Sequence, residues 1–164
     1  MGVVDNAPST IADFLDLVLL DIGGTLVKEH PPGTPTNELV PTLLPLVAHD
    51  LEQLSRVVHL GAVTNTSVMH EADVRRLLAM VAIDDLLEVV VTSCDVGAAK
   101  PDPTALFEAN RRFGEFANSR VLYVGDQKTD QEAAVAADMH FVFITEAGVL
   151  AAVRNWTLAQ AVTF

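Results

Sequence analysis

Apolar residues in this chain come in short unbroken blocks, and between the blocks they return at helical spacing. The blocks are 17–21 (LVLLD), 56–65 (RVVHLGAVTN), 87–92 (LEVVVT), 120–124 (RVLYV) and 140–144 (HFVFI). Short aliphatic and β-branched runs that do not alternate with polar residues predict strands buried on both faces. Helical spacing fills the intervals. Residues 38–55 carry Leu39, Leu43, Leu44, Leu46, Val47, Leu51 and Leu54, although Pro41 and Pro45 predict a kinked or irregular first half. Further helices are expected over 71–82, from the Asp102-Pro103 start to 113, and over 129–137, with helix-like sequence after 144 and Trp156 as a terminal anchor. Ser9 and Thr10 predict the cap of a short helical turn through Phe14. Pro31, Pro32, Gly33 and Pro35 make 28–37 a loop. Buried strands alternating with helices predict an α/β fold, a Rossmann-like three-layer sandwich around a parallel sheet. Ligands of such sheets bind beyond the carboxyl ends of the strands.

Composition narrows the function classes. The length of 164 residues, half of them hydrophobic, suits one well-cored domain spanning 1–164. Ten basic against 22 acidic residues give a net charge of −12, which argues against nucleic acid or an anionic membrane as partner. The single cysteine, Cys94, permits no internal disulfide and predicts a reducing compartment. Cys94 has no histidine or helix start assigned to it, so no nucleophilic role is expected of it. Neither a secretory signal nor a membrane span is visible, and a cytoplasmic protein is the expectation. His59 and His140, inside apolar blocks, are expected to be packed in the core, and His49 and His70 to lie at the surface.

Candidate chemistry collects at the ends of the predicted strands. The first strand stops at Asp21 and is followed by Ile22, Gly23, Gly24 and Thr25. The second ends in Thr64 and Asn65, the third leads to Lys100, and the fourth ends at Gly125-Asp126 with Asp130 one helical turn on. A carboxylate nucleophile, further acids for a hard cation, a hydroxyl and an ammonium are what phosphoryl transfer to a carboxylate requires. In this reading Asp21 is the nucleophile, and Asp21, Asp126 and Asp130 hold Mg²⁺. Thr64 and the backbone N–H groups around Asn65 bind phosphate oxygens, and Lys100 neutralises charge on nucleophile and phosphate. A receiver-type signalling domain fits poorly, because the first strand carries one acid and Asp126 would have no role.

Taken in order, these stretches resemble the four motifs of the haloacid dehalogenase superfamily of aspartyl phosphatases and phosphotransferases. DIGGT at 21–25 is similar to the first motif, Thr64 to the second, Lys100 within KPDPTALF to the third, and GDQKTD at 125–130 to the fourth. The resemblance covers about residues 15–147, and KPDPTALF with the GD…D…AA string looks most like phosphoglycolate-phosphatase-type members. It implies Mg²⁺ as cofactor, with the backbone carbonyl of Gly23 as a further metal ligand, and a phosphorylated substrate. The family often has glycine where this chain has Asp138.

Two departures bear on function. The family's first motif carries a second Asp, a general acid and base, where this chain has Gly23. General acid–base catalysis contributes about 10² to 10⁴ in rate, so a slow enzyme is expected. Glu29 and His30 are the neighbouring groups able to substitute, although both sit in the proline-rich loop. Phosphonatase-type relatives use a cap-borne lysine; Lys28 is the only lysine near the first motif. Second, neither slot where the family inserts a cap domain has room for one. Such members tend to act on macromolecular phosphates or to borrow a lid from a second subunit, which makes a homo-oligomer a natural expectation. The leading expectation is therefore a Mg²⁺-dependent phosphohydrolase acting through an aspartyl phosphate on Asp21. A degenerate domain that binds a phosphorylated ligand or protein partner, and a phosphotransferase, are the alternatives.

Overall fold

A computed structural model describes residues 10–163. Five strands, β1 (Leu17–Leu20), β2 (His59–Thr64), β3 (Val89–Thr92), β4 (Val121–Gly125) and β5 (His140–Phe143), form one sheet in the order β3-β2-β1-β4-β5. Every pairing is parallel. The expected α/β, Rossmann-like sandwich is the observed architecture. All four side chains of β1 are buried, as its unbroken LVLL sequence requires of a central strand covered on both faces.

Alternation along β1 divides the core. Val18 and Leu20 face a cluster built with α2 (Val47–Ser55), α3 (Glu71–Met80) and the C-terminal helix α7 (Val149–Ala161). Leu17 and Leu19 face the other cluster, with α5 (Thr104–Arg112) and α6 (Lys128–Ala136). Two short helical turns, α1 (Ile11–Phe14) and α4 (Ser93–Val96), complete the set. Thr10 caps α1 in a capping box with Asp13, as expected, while Ser9 lies outside the described residues. Trp156 packs against the core and stacks near the His140 ring, 4.8 Å between centroids, so its anchoring role holds.

The chain runs outward from β1 through β2 to β3, then returns to β4 beside β1 and continues to β5. β1 and β4 thus flank the switch in strand order, where the loops leaving the sheet diverge and open a crevice. Leu20 pairs with both Ala62 and Val124, so Asp21 and the Gly125-Asp126 pair leave the sheet side by side. No helix among the described residues is long and apolar enough to cross a membrane.

Three expectations are corrected. The helix over 38–55 begins only at Val47. Pro41 and Pro45 lack the N–H a helix interior needs, and Leu46 takes φ 69°, in the left-handed region. The segment before it instead runs extended against the first loop: the Lys28 amide donates to the Thr42 carbonyl and the Leu44 amide to the Leu26 carbonyl, both at 2.9 Å. His59 is not a core residue. It is half exposed at the start of β2, paired with Glu88 at 3.0 Å and stacked on Phe116. His140 is likewise only partly buried, with Nε2 2.9 Å from the Ser119 carbonyl oxygen. His49 and His70 are exposed, as expected.

Asp138 ends α6 in a left-handed conformation, φ 57°. Its amide donates to the Val135 carbonyl and that of Met139 to the Ala134 carbonyl, a Schellman closure whose left-handed position favours glycine. Asp138→Gly is therefore expected to stabilise the fold by about 1 kcal/mol, read as a rise in the denaturant midpoint at unchanged slope. An unchanged or lowered midpoint would contradict that reading of the turn.

Candidate active site

Asp21 is the first residue past β1, and its amide still donates to the Val124 carbonyl at 2.9 Å, which fixes its backbone to the sheet. The chain then turns back on itself. The amides of Thr25, Leu26 and Val27 all point at the Ile22 carbonyl, while the Gly24 amide donates to Val27 at 2.8 Å. Gly24 takes φ 78°, and a Cβ there would overlap the Asp126 carboxylate. Glycine is needed at 24 on both counts. Gly23 is different: its φ is ordinary, and a Cβ would meet only Glu29 Cγ, at 3.7 Å.

Lys100 reaches the crevice from the loop between α4 and α5. The Asn65 side chain holds its backbone at both ends, donating to the Lys100 carbonyl at 3.1 Å and accepting from the Lys100 amide at 2.9 Å. The ammonium is buried, and its three N–H groups are shared among four acceptors. It donates to Asp21 Oδ1 at 2.9 Å, to Asp130 Oδ1 at 2.7 Å, to the Val63 carbonyl at 3.2 Å and to the Tyr123 hydroxyl. Asp130 is a hub as well. Its Oδ2 accepts the amides of Asp126 and Gln127 at 3.2 and 3.0 Å, which fixes the first turn of α6. A Cβ at Gly125 would overlap Asp130, so the glycine before Asp126 leaves room for this carboxylate.

Asp21, Asp126 and Asp130 each place a carboxylate oxygen within 4.8 Å of the others. Lys100 alone stands against these three acids, and burial dominates the outcome: it pushes the Asp21 carboxyl up to about 7. Lys100 opposes the rise and Asp130 adds to it. Two buried oxygens lack a partner among the described residues, Asp126 Oδ1 and Thr25 Oγ1. A buried carboxylate oxygen without a donor, in a group with excess negative charge, is what a site built for a cation presents. The residues therefore fit a hard divalent ion. Asp130, with both oxygens already taken, serves better to orient Asp126 and Lys100 than to bind the ion directly.

Next to these groups, which do not themselves line it, a cleft of about 500 Å³ opens between the loop 28–41 on one side and residues 64–69 with α3 on the other. Gly23, Thr64 and Asn65 form part of its wall. The Thr64 hydroxyl makes no hydrogen bond to any described residue, so it is free for a ligand. The structure thus brings Asp21, Gly23, Thr64, Asn65, Lys100, Asp126 and Asp130 to one rim. Asn65 adds a role that sequence alone did not indicate, because its amide reads from sequence as one more polar group at a strand end.

Two features were not foreseen. Tyr123 reads from sequence as one apolar residue of β4, yet its buried hydroxyl touches Lys100, donates toward the Val63 carbonyl at 3.1 Å and stands 3.2 Å from Asp130. Burial first, and then Asp21 and Asp130, raise its pKa well above the phenol range, so it stays a neutral donor. A lone hydroxyl inside an aliphatic strand was the available signal. Cys94 does have a histidine neighbour: its Sγ is 3.6 Å from His70 Nε2, and His70 Nδ1 is 2.6 Å from Asp95. Asp95 also accepts the Glu71 amide, so the group ties the start of α3 to α4.

Residues 36–144, more than half of the chain, match the sequence model of the haloacid dehalogenase-like hydrolases. The chain belongs to that family. A phosphoglycolate phosphatase of Haemophilus influenzae is 36% identical over 107 residues, which are 65% of this chain and 46% of that protein. A phosphatase of Mycobacterium tuberculosis is 34% identical over 97 residues, 59% of this chain and 43% of the relative. The chain thus spans just under half the length of these curated relatives. A solved structure of an uncharacterized protein from Listeria monocytogenes superposes with a TM-score of 0.71 at 20% identity, over 80% of this chain and 79% of that one. That likeness carries the fold.

Gly24→Ala probes the site locally. The added methyl would push the Asp126 carboxylate aside, and Mg²⁺ affinity is expected to fall about 10- to 100-fold. A rise in Tm on adding Mg²⁺, expected if the acids of the site hold the ion, reads this directly. An unchanged Mg²⁺ response would show that Asp126 is no ligand.

Proposed function

We propose that the chain is a Mg²⁺-dependent phosphohydrolase that acts through an aspartyl phosphate on Asp21. The observation that carries this reading is the Asp21 carboxylate, fixed at the end of the central strand. It meets the Lys100 ammonium at 2.9 Å and stands with Asp126, one of whose oxygens has no partner, within 4.8 Å. Family membership and the two phosphatase relatives support it.

Asp21 would use one carboxylate oxygen to attack phosphorus, forming the acyl phosphate as the ester P–O bond breaks. The Thr64 hydroxyl would bind a phosphoryl oxygen while Lys100 offsets charge on Asp21 and the phosphoryl group beside it, and a water would then attack the phosphoryl group, releasing phosphate and restoring the carboxylate. Mg²⁺, held by Asp21, the Gly23 carbonyl and Asp126 with Asp130 behind them, would neutralise charge on the phosphoryl oxygens. Tyr123 and Asp130 keep the Lys100 ammonium aimed at Asp21. The open cleft suits an ester of substantial size.

Gly23 favours a second reading, a domain that binds a phosphorylated ligand or partner with little turnover. One assay separates the two: hydrolysis of an aryl phosphate with Mg²⁺ or chelator, by the wild type and by Gly23→Asp. Turnover that needs Mg²⁺, already present in the wild type, is the expected result. Ordinary contact at 3.7 Å leaves room for the side chain that Gly23→Asp adds. A silent wild type revived by Gly23→Asp would support the binding reading, and turnover indifferent to chelator would overturn the first.

A further inference from the structure

Breaking the ester bond leaves an oxygen that needs a proton, and hydrolysing the acyl phosphate needs a water that gives one up. Asp21 is the nucleophile in the proposed function, and Lys100 spends its protons on Asp21, Asp130, Tyr123 and Val63. The proton must come from the cleft, on the side of the phosphoryl group away from Asp21. Of the residues lining that cleft, only Lys28, Glu29 and His30 carry titratable side chains. His30 Nε2 is bound up with the Val40 carbonyl at 3.0 Å.

Of these, Glu29 is the one whose side chain reaches position 23. Its carboxylate makes no hydrogen bond or ion pair with any described residue. Its Cγ is the one atom beyond the chain neighbours within 4 Å of the position a Cβ on Gly23 would occupy, at 3.7 Å. Nor does it ride on a loose tip. The pairing of Lys28 with Thr42 and of Leu26 with Leu44 clamps the base of the loop immediately before it.

We propose that Glu29 is the general acid and base of this site. Its side chain lies beside the space that a side chain at position 23 would take, in ordinary contact with it at 3.7 Å. In the first half-reaction the Glu29 carboxyl gives its proton to the leaving oxygen as the P–O bond breaks. In the second, the resulting carboxylate takes a proton from the water that attacks the acyl phosphate, which returns Glu29 to its starting state. This rests on the phosphohydrolase reading above.

The test compares kcat/KM of the wild type, Glu29→Gln, His30→Gln and Glu29→Gln/Gly23→Asp on an alkyl phosphate and on a nitrophenyl phosphate, with Mg²⁺. Glu29→Gln is expected to lose about 10²-fold or more on the alkyl ester and far less on the nitrophenyl ester, whose leaving group needs little protonation. Gly23→Asp in the Glu29→Gln background is expected to restore the rate on the alkyl ester. Equal losses on both esters would assign Glu29 to binding and overturn the proposal. So would an unaffected Glu29→Gln, or an alkyl-selective loss that appears in His30→Gln instead. A wild type that hydrolyses neither ester would overturn the phosphohydrolase reading and this inference with it. Turnover indifferent to Glu29→Gln would overturn this inference alone.

Discussion

Asp21→Asn is expected to lower turnover of an aryl phosphate by about 10⁴-fold or more while leaving the fold standing. The amide has the shape of the carboxylate but no nucleophilic oxygen, so the covalent route closes. Stability should move the other way at neutral pH and above. Asp21 is a carboxyl whose folded pKa, about 7, stands above its unfolded value because burial outweighs Lys100. The folded state therefore binds more protons than the unfolded one between the ordinary carboxylate range and about 7. This group's contribution to stability falls as pH rises through that window. Asp21→Asn removes the fall, so the Mg²⁺-free variant should lose less stability than the wild type between pH 5 and 8 (roughly the span in which such a group titrates). Added Mg²⁺, which requires the ionised carboxylate, should recover the loss in the wild type and do little for the variant. Denaturant midpoints at the two pH values read this, and wild-type and variant slopes that coincide would contradict it.

Lys100→Met is expected to destabilise the protein by about 3–5 kcal/mol at neutral pH, besides abolishing turnover. The methionine fills much of the same volume. What is lost is the one cation that pairs with the acids of the site among the described residues, and with it the donor to Asp21 and Asp130 at 2.9 and 2.7 Å. Both of those carboxylates are buried, so removing their partner leaves charge in a poorly solvated place. Lowering the pH should shrink the deficit, because the stranded carboxyls can then be neutral. A deficit independent of pH would mean that packing, rather than charge, is what Lys100 contributes.

Much of this site was legible because each strand announces its own end. LVLL runs into Asp21, AVT into Asn65 and LYVG into Asp126, and a parallel sheet obliges those ends to share a rim. What sequence does not reveal is which polar atoms meet once there. Nothing in the string TN shows that the Asn65 amide clamps the Lys100 backbone 35 residues on. Tyr123 looked like filling because its ring is filling, and only the register of β4 beside β1 brings its hydroxyl to Lys100.

The misjudged elements have equally local causes. Leucine spacing over 38–55 is helical, but Pro41 and Pro45 remove the amides that would close the first turns. The freed segment pairs with 26–28 instead and sets one wall of the cleft. His59 stands in an apolar block yet precedes the buried part of β2, so it faces Glu88 and solvent rather than the core. Asp138, unexplained in the sequence, marks the left-handed end of α6.

In the proposed reaction Asp21 carries the phosphoryl group. Mixing the protein with Mg²⁺ and an aryl phosphate, quenching within a turnover and reducing the acyl phosphate with borohydride tests it most directly. Peptide mass spectrometry should then find the side chain at position 21 converted to the reduced alcohol, Mg²⁺-dependently, with Asp126 and Asp130 unmodified. Turnover that proceeds with Asp21 unmodified, or with the label on another residue, would contradict the account.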